Sequence, residues 1–225
     1  MAHQGVKLLR RRLPLRSVSA TAWVLPTLLA TGCAGASPES AGPRSPSADP
    51  ARAFDAASPV TPVHARKLRM NLPLPEASAW KVRESEDGTS FEAVHDATHS
   101  RLTVRASAHD ALMNRGRCEA KAREMGWVPN VRAKIVDDTV TVAPGAYDTR
   151  FVAMVDAGAT EASPVRGYVF GYGAYVRRCL TMTFVTDVPS GDYAREVASR
   201  LATIRVQTFP AITFDTLDDV PREVR

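Results

Sequence analysis

The sequence predicts an α+β domain: a mostly antiparallel sheet with helices on both faces, an α/β/α sandwich, preceded by a leader segment and a disordered linker. Three observations predict it. Alternating apolar and polar runs are joined by turn residues, as in antiparallel hairpins. Two segments instead repeat at the helical period. The later strands carry apolar residues at both parities, as in a sheet covered on both faces. The 225 residues are enough for one such domain with terminal extensions.

Three strands in a meander are predicted first, after a lead-in strand over 68–72. Residues 79–83 and 89–94 alternate apolar and polar side chains on either side of Asp87-Gly88. An Asp-Gly pair between two alternating runs is a strong signal for a hairpin. Residues 101–106 alternate in the same way, so they add a third antiparallel strand.

Two later segments change to the helical period. Residues 110–125 space their apolar side chains as a helix does, with Asp110 as the N-cap and Gly126 just after the end. Residues 191–204 repeat similarly and follow Pro189-Ser190, a typical helix start. Strands are predicted between the helices, over 131–142 as one or two strands interrupted at Asp137-Asp138, and over 147–155, 165–172 and 175–185.

The first 32 residues have the layout of a secretory signal peptide. Residues 1–16 are basic, and residues 17–30 carry no charge and are mostly apolar or small. A basic segment followed by a short apolar one is the order of an export signal. A transmembrane helix is the alternative, but a span needs about 20 predominantly apolar residues. Pro26, Gly32 and the Ser/Thr content argue against a span.

The apolar run ends in 28–33, LLATGC, which resembles the lipobox of bacterial lipoproteins. The resemblance implies that the Cys33 thiol receives a diacylglycerol and that this cysteine becomes the new N-terminus. It covers only the leader and departs at one position, because Ala30 stands where leucine usually lies. An ordinary signal-peptidase site, with Cys33 incidental, is the alternative. We expect an exported, membrane-anchored lipoprotein; Ala34, which is not aspartate, favours the outer membrane or periplasmic face.

Residues 33–63 are predicted to be the lipidated cysteine and a tether. Their Pro, Ala and Ser content cannot bury a core and favours extended conformations. Phe54 is the only aromatic residue there, and we expect it to make no more than a transient contact. The predicted α+β domain covers 64–209, and 210–225 form a polar C-terminal tail that packs little.

The order of elements, a meander, a helix, a longer meander and a final helix, is similar to the PsbP-like α/β/α sandwich. Trp80 opens the first hairpin, and Phe184, Tyr193 and Ile204 mark the closing run. The resemblance covers about residues 68–207 and lies in element order. It implies an accessory or binding protein more than an enzyme.

The net charge of +5 and the pI of about 9.4 suggest a nucleic-acid binder, but the excess positive charge lies in the leader. Five of the 29 Lys and Arg residues precede Cys33 and no Asp or Glu does, so the remaining basic residues balance the 24 acidic ones. Because the rest of the chain is neutral and export removes it from nucleic acid, no nucleic-acid partner is expected.

Two cysteines remain after Cys33, and export would place both in an oxidising compartment. Cys118 lies on the first predicted helix and Cys179 in the last long strand. An even pair in such a compartment is typical of a disulfide. Cys179 lies on the strand face that the first helix would cover, so the pairing is geometrically possible. Two buried free thiols are the alternative.

No cofactor or metal site and no catalytic residue is expected. His95 and His99 flank a turn with Asp96 between them, and His109 precedes the first helix, but no third ligand follows at a typical spacing. The sequence lacks Gly-x-Ser-x-Gly, Gly-x-Gly-x-x-Gly and Gly-x-x-x-x-Gly-Lys. Nucleophile-elbow and phosphate-loop enzymes are therefore not supported.

One aromatic row could form a ligand surface. Tyr168, Phe170 and Tyr172 project from the same side of a predicted strand, and such rows can stack on sugars, bases or peptide side chains. The alternative is a core row beneath a helix, with Gly171 and Gly173 bending the chain.

These features together favour a non-catalytic lipoprotein of the cell envelope. Its partners would be the lipid bilayer, through acylated Cys33, and another envelope protein or the cell wall. The alternative is a small-ligand-binding protein or hydrolase-type enzyme with a site at the aromatic row or near His95 and His99. An apolar pocket with converging ionisable groups would favour the alternative, and a filled sandwich the first hypothesis.

Overall fold

A computed structural model describes residues 54, 58–158, 160, 163–189 and 194–215. The predicted signal peptide, the lipidation site at Cys33 and most of the tether lie outside the described residues. Within them, no helix has the length and apolar character that crossing a membrane requires.

The main element is a seven-stranded antiparallel sheet. Its strands are β3 (Lys81–Glu84), β4 (Ser90–His95), β5 (Ser100–Ala108), β6 (Lys134–Val142), β7 (Asp148–Asp156), β8 (Val165–Tyr175) and β9 (Arg178–Val188). The spatial order is β3-β4-β5-β9-β8-β7-β6, so the two predicted meanders meet where β5 pairs with β9. The predicted α+β class with a mostly antiparallel sheet is confirmed. Residues 134–142 form one strand, with a register shift between Ile135 and Asp137.

A second, three-stranded sheet extends beyond both predicted domain boundaries. It contains β1 (Val60–Ala65), β2 (Met70–Pro75) and β10 (Thr213–Phe214), in the order β1-β2-β10. Residues 60–63, assigned to the tether, therefore belong to a strand. The tail prediction is corrected for residues 210–215, because Ile212 is only 1% exposed; residues 216–225 lie outside the described residues. Apolar residues at alternate positions, Ile212 and Phe214, pack against the domain within an otherwise polar tail.

Helix α1 (Arg115–Glu124) begins later than predicted. Its N-cap is Asn114, whose side chain accepts a hydrogen bond from the Arg117 N–H at 2.9 Å. Asp110 was the wrong cap because the preceding chain is held to the β8–β9 turn: the Met113 N–H donates to the Val176 carbonyl at 2.8 Å. Gly126 follows the helix with φ +65°, as its predicted place at the helix end requires.

Helix α2 (Ala194–Thr203) continues into a π-helical turn, Ile204–Thr208. Val197 and Leu201 of α2 lie so close to β8 that a Cβ built on Gly167 would meet the Val197 Cγ1 at 2.5 Å. Helix α1 instead packs Ala122 against Tyr168, Phe170 and Tyr172 of the same strand. Successive residues of a strand point to opposite faces, so the two helices contact opposite parities of β8.

Candidate functional site

Helix α1 covers only part of one sheet face. It packs against β7, β8 and β9, whereas the outward side chains of β3, β4 and β5 stay at the surface. Strand alternation explains this, because Phe91 and Ala93 of β4 and Leu102 and Val104 of β5 point into the core. A groove of about 570 Å³, here called the Arg105 groove, lies on this open face. It is lined by Arg83 and Arg105, the carboxylates Glu84, Glu86 and Glu92, and the hydroxyls Ser85, Ser90 and Thr103.

Two of the three carboxylates in the groove already have partners. Glu92 accepts from Arg83 Nη2 at 2.7 Å and lies 3.3 Å from Arg101 Nε. Glu84 accepts two backbone N–H groups, from Arg66 at 3.0 Å and from Lys67 at 2.7 Å. These contacts fix the rim of the groove, and the two arginines neutralise the charge of Glu92.

Arg105 differs from Arg83, the other arginine of the groove. Its guanidinium carbon lies 5.6 Å from the centre of the Trp127 ring, a cation–π distance. It has no hydrogen bond or ion pair with any residue that the structure describes. Burial lowers the pKa of Arg105, and the charge of Glu92 partly opposes that shift. Arg105 is therefore a half-buried cation with its donors unfilled.

A row of polar side chains crosses the sheet at Arg105. Ser90 lies opposite Arg105 on β4, and Thr181 lies opposite it on β9. The Thr181 hydroxyl is buried and lacks a hydrogen-bond partner among the described residues, as does the hydroxyl of Tyr172, the next residue in the row. Burial raises the pKa of Tyr172 to about 12, so it remains a neutral donor. The row thus places one unsatisfied hydroxyl, that of Thr181, next to Arg105 in the sheet.

The aromatic row that was predicted as a possible ligand surface is buried. Tyr168, Phe170 and Tyr172 are 5%, 2% and 1% exposed. They pack beneath α1 with Ala122 and Val128. The core interpretation of this row is therefore correct, because the helix covers that face of β8.

The two histidines of the alternative site do not converge either. His95 is 2% exposed, and its Nδ1 lies 2.9 Å from the Thr98 hydroxyl. His99 is exposed and ends a short 3-10 turn with φ +47°. In the part of the chain that the structure describes, no three His, Cys, Asp or Glu side chains are placed to share a metal ion.

His95 is instead part of a buried cluster around Phe54. The expectation of a transient Phe54 contact is wrong, since this side chain is 0% exposed. Its ring centre lies 5.5 Å from those of Trp80 and His95, and the Arg200 guanidinium carbon lies 5.8 Å from it. The Phe54 N–H donates to Glu76 Oε1 at 3.0 Å. Phe54 and Trp80 of this cluster belong to the main hydrophobic core.

Ser107 and His109 form a further polar pair. Ser107 Oγ lies 2.9 Å from His109 Nε2, a distance that a nucleophile and its base also adopt. Ser107 is buried, however, so a substrate cannot reach its hydroxyl. The pair ties the end of β5 to the chain that leads to α1.

The predicted disulfide is present. Cys118 of α1 is bonded to Cys179 of β9, with their Cα atoms 5.5 Å apart. The bond fastens α1 to the sheet beside the Arg105 groove, because Ser107, two residues beyond Arg105, pairs with Cys179.

Sequence reasoning missed the Arg105 groove because outward charges on strands are usually solvated. Arg101, Thr103 and Arg105 alternate with buried residues, and that pattern alone predicts an ordinary polar face. The signal that could have found the site is Trp127, a large aromatic residue just beyond the helix. Its contact with Arg105 depends on where α1 lies on the sheet.

Neither a protein-family model nor a curated protein matches this chain. Among solved structures it is similar to the Ran-binding protein Mog1p of Saccharomyces cerevisiae, with TM-score 0.44 and 8% identity over 64% of this chain and 85% of that one. It is similar to the cyanobacterial PsbP of Synechocystis, with TM-score 0.42 and 10% identity over 69% of this chain and 92% of that one. A Bacteroides thetaiotaomicron protein gives TM-score 0.36 and 12% identity over 71% and 49%. The PsbP-like resemblance stays a prediction.

Proposed function

We propose that this protein is a non-catalytic binding module of the cell envelope, exported and anchored to a membrane by lipid at Cys33. The Arg105 groove is its binding surface. The observation that carries the proposal is the open face of β3, β4 and β5, which holds a cation with unfilled donors.

Three features support an exported protein with this architecture. The Cys118–Cys179 disulfide is of the kind that forms and persists in oxidising compartments. The leader has a basic segment, an apolar segment and a cysteine in lipobox order. The α/β/α sandwich is supported by α1 and α2, which contact opposite parities of β8.

A binding role is favoured over catalysis by the placement of the reactive side chains. Thr98 and Ser107, the hydroxyls bonded to histidines, are both buried. The groove offers instead a rim of fixed ion pairs around one half-buried arginine. Such a surface can hold a partner without changing it chemically.

In-cell photocrosslinking tests the binding surface. A photoreactive amino acid is introduced at Thr103, in the groove, and at Ala202, which is exposed on α2, as the matched control. We expect a crosslinked adduct from Thr103 and none from Ala202. Equal adducts from both sites, or an adduct from Ala202 alone, would refute the groove as the binding surface.

A further inference from the structure

We propose that the Arg105 groove binds a carboxylate group of its ligand, through the guanidinium of Arg105. This inference rests on the proposed function, in which the groove is the binding surface, and it names the chemistry that the groove recognises.

The first argument is the unfilled donor set. Arg105 has no hydrogen-bond acceptor among the described residues, although burial has removed part of its water. A guanidinium presents its N–H groups as a planar fork that matches the two oxygens of a carboxylate. Trp127 lies against the guanidinium at 5.6 Å, so one side of the cation is occupied and its N–H edge is left for a ligand.

The second argument concerns competition from the protein's own carboxylates. Glu92 is the acidic residue whose charge acts on Arg105, but it is bound by Arg83 at 2.7 Å and lies 3.3 Å from Arg101. Glu84 is held by backbone N–H groups. Both are committed to other donors, and Glu86, the third carboxylate of the lining, is exposed and forms no ion pair with Arg105. The Arg105 donors are therefore left for the oxygens of a ligand.

The number of unpaired cations favours a monoanion over a dianion. Arg83 is paired with Glu92, so Arg105 is the arginine of the groove that has no carboxylate partner among the described residues. A phosphate monoester carries up to two negative charges at neutral pH, and one guanidinium would leave part of that charge unpaired. A carboxylate carries one charge and can pair with Arg105 alone.

Neighbouring hydroxyls complete the site. Ser90 lies directly opposite Arg105, and Thr103 stands two residues before it on the same face of β5. Both can donate to the remaining lone pairs of a bound carboxylate or to polar groups beside it. The volume of about 570 Å³ lies in the range of small-ligand sites.

The experiment is a titration of the purified full chain, followed by the Trp127 indole N–H signal in NMR spectra, which Trp127→Phe assigns. The probes are two matched pairs: N-acetylalanine with N-acetylalaninamide, and glucuronate with glucose. We expect at least one acid to shift the Trp127 signal saturably, and its neutral partner to leave the signal unchanged. The member that binds distinguishes a peptide carboxylate from a sugar acid.

Variants identify the residue responsible. Arg105→Gln should abolish the acid-dependent shift, and Arg105→Lys should weaken binding at least tenfold, because a lysine lacks the fork. Arg195→Gln is the matched control, since Arg195 is exposed on α2 and does not line the groove; it should bind as the unmodified chain does. The dispersion of amide signals checks that each variant is folded.

Four results would overturn the inference: no saturable shift with either acid, shifts of equal size with acids and neutral partners, unchanged binding by folded Arg105→Gln, or tighter binding of inorganic phosphate than of both acids. The two proposals fail separately. If Thr103 crosslinks a partner but the groove does not select acids, the groove is still a binding surface and the carboxylate inference is wrong. If the groove selects acids but Thr103 gives no crosslink, the carboxylate inference stands and the proposal of a macromolecular partner is wrong.

Discussion

Cys118 and Cys179 lie 61 positions apart in sequence, and their bond fastens α1 to β9. The bond lies beside the residues that separate the covered part of the sheet from its open part. It therefore helps fix the edge of the Arg105 groove as well as stabilising the core.

Removing this disulfide should lower the free energy of unfolding of the domain. In the chain-entropy model, closing a loop of 61 residues stabilises the folded state by about 4 kcal/mol. We expect Cys118→Ser/Cys179→Ser to lower the free energy of unfolding by about that amount, measured by urea titration. Reduced unmodified protein should match the double variant. An unfolding midpoint that does not respond to reductant would contradict the prediction.

Cys33→Ala should release the protein from membranes. Acyl chains anchor a protein because each buried CH₂ contributes about 0.8 kcal/mol, and stable anchoring takes two signals. Membrane and soluble fractions of cells, compared by immunoblot, measure the effect. Cys118→Ser/Cys179→Ser is the control and should remain in the membrane fraction. The anchor hypothesis fails if Cys33→Ala stays there too.

Phe54→Ala should destabilise the domain by about 3–5 kcal/mol, the usual cost of deleting a buried phenylalanine ring. The ring is fully buried against Trp80, His95 and Phe184, so its loss leaves a cavity. Urea titration measures the change. Val82→Ala is the control, because Val82 is 49% exposed and its truncation should cost far less. Equal losses in the two variants would show that Phe54 is not part of the core.

Lowering the pH should reduce the free energy of unfolding of the domain, because His95 is buried. Burial lowers the pKa of His95 below its usual 6.5, the Arg200 charge lowers it further, and Glu76 opposes the shift. The unfolded chain therefore binds a proton before the folded chain does. The stability that neutral His95 contributes is fully present above pH 6.5. As the pH falls from 6.5 toward the pKa of His95 in the folded chain, the free energy of unfolding decreases by at most about 1.4 kcal/mol per pH unit.

Unfolding free energies between pH 7.5 and 5 measure this dependence. We expect His95→Gln to flatten the profile over that window. The exposed His99→Gln should keep it. If both variants retain the same slope, another group is responsible.

The sequence was sufficient for the elements whose signal is local. Alternation predicted β4 and β5, Asp87-Gly88 predicted the hairpin, and Gly126 predicted the helix end. The parity of Cys179 placed it under α1, so the disulfide could be predicted as well. Each of these depends on residues close together in sequence or on a simple rule of strand geometry.

The remaining features depend on contacts between distant residues. Phe54 is a single aromatic residue in a Pro, Ala and Ser tract, and nothing around it repeats. Its burial requires a pocket made by Trp80, His95 and Arg200, which come from separate parts of the chain. The Arg105 groove has the same origin, since it exists only because α1 stops short of β5.

The burial of Phe54 would shorten the reach of a protein anchored at Cys33. Phe54 lies 21 positions after Cys33, whereas Val60, the start of β1, lies 27 positions after it. Since a chain spans at most about 3.5 Å per residue, a lipid on Cys33 would keep Phe54 within about 75 Å of the bilayer, against about 95 Å for Val60. Undocking of the ring would therefore lengthen the maximum reach by about 20 Å.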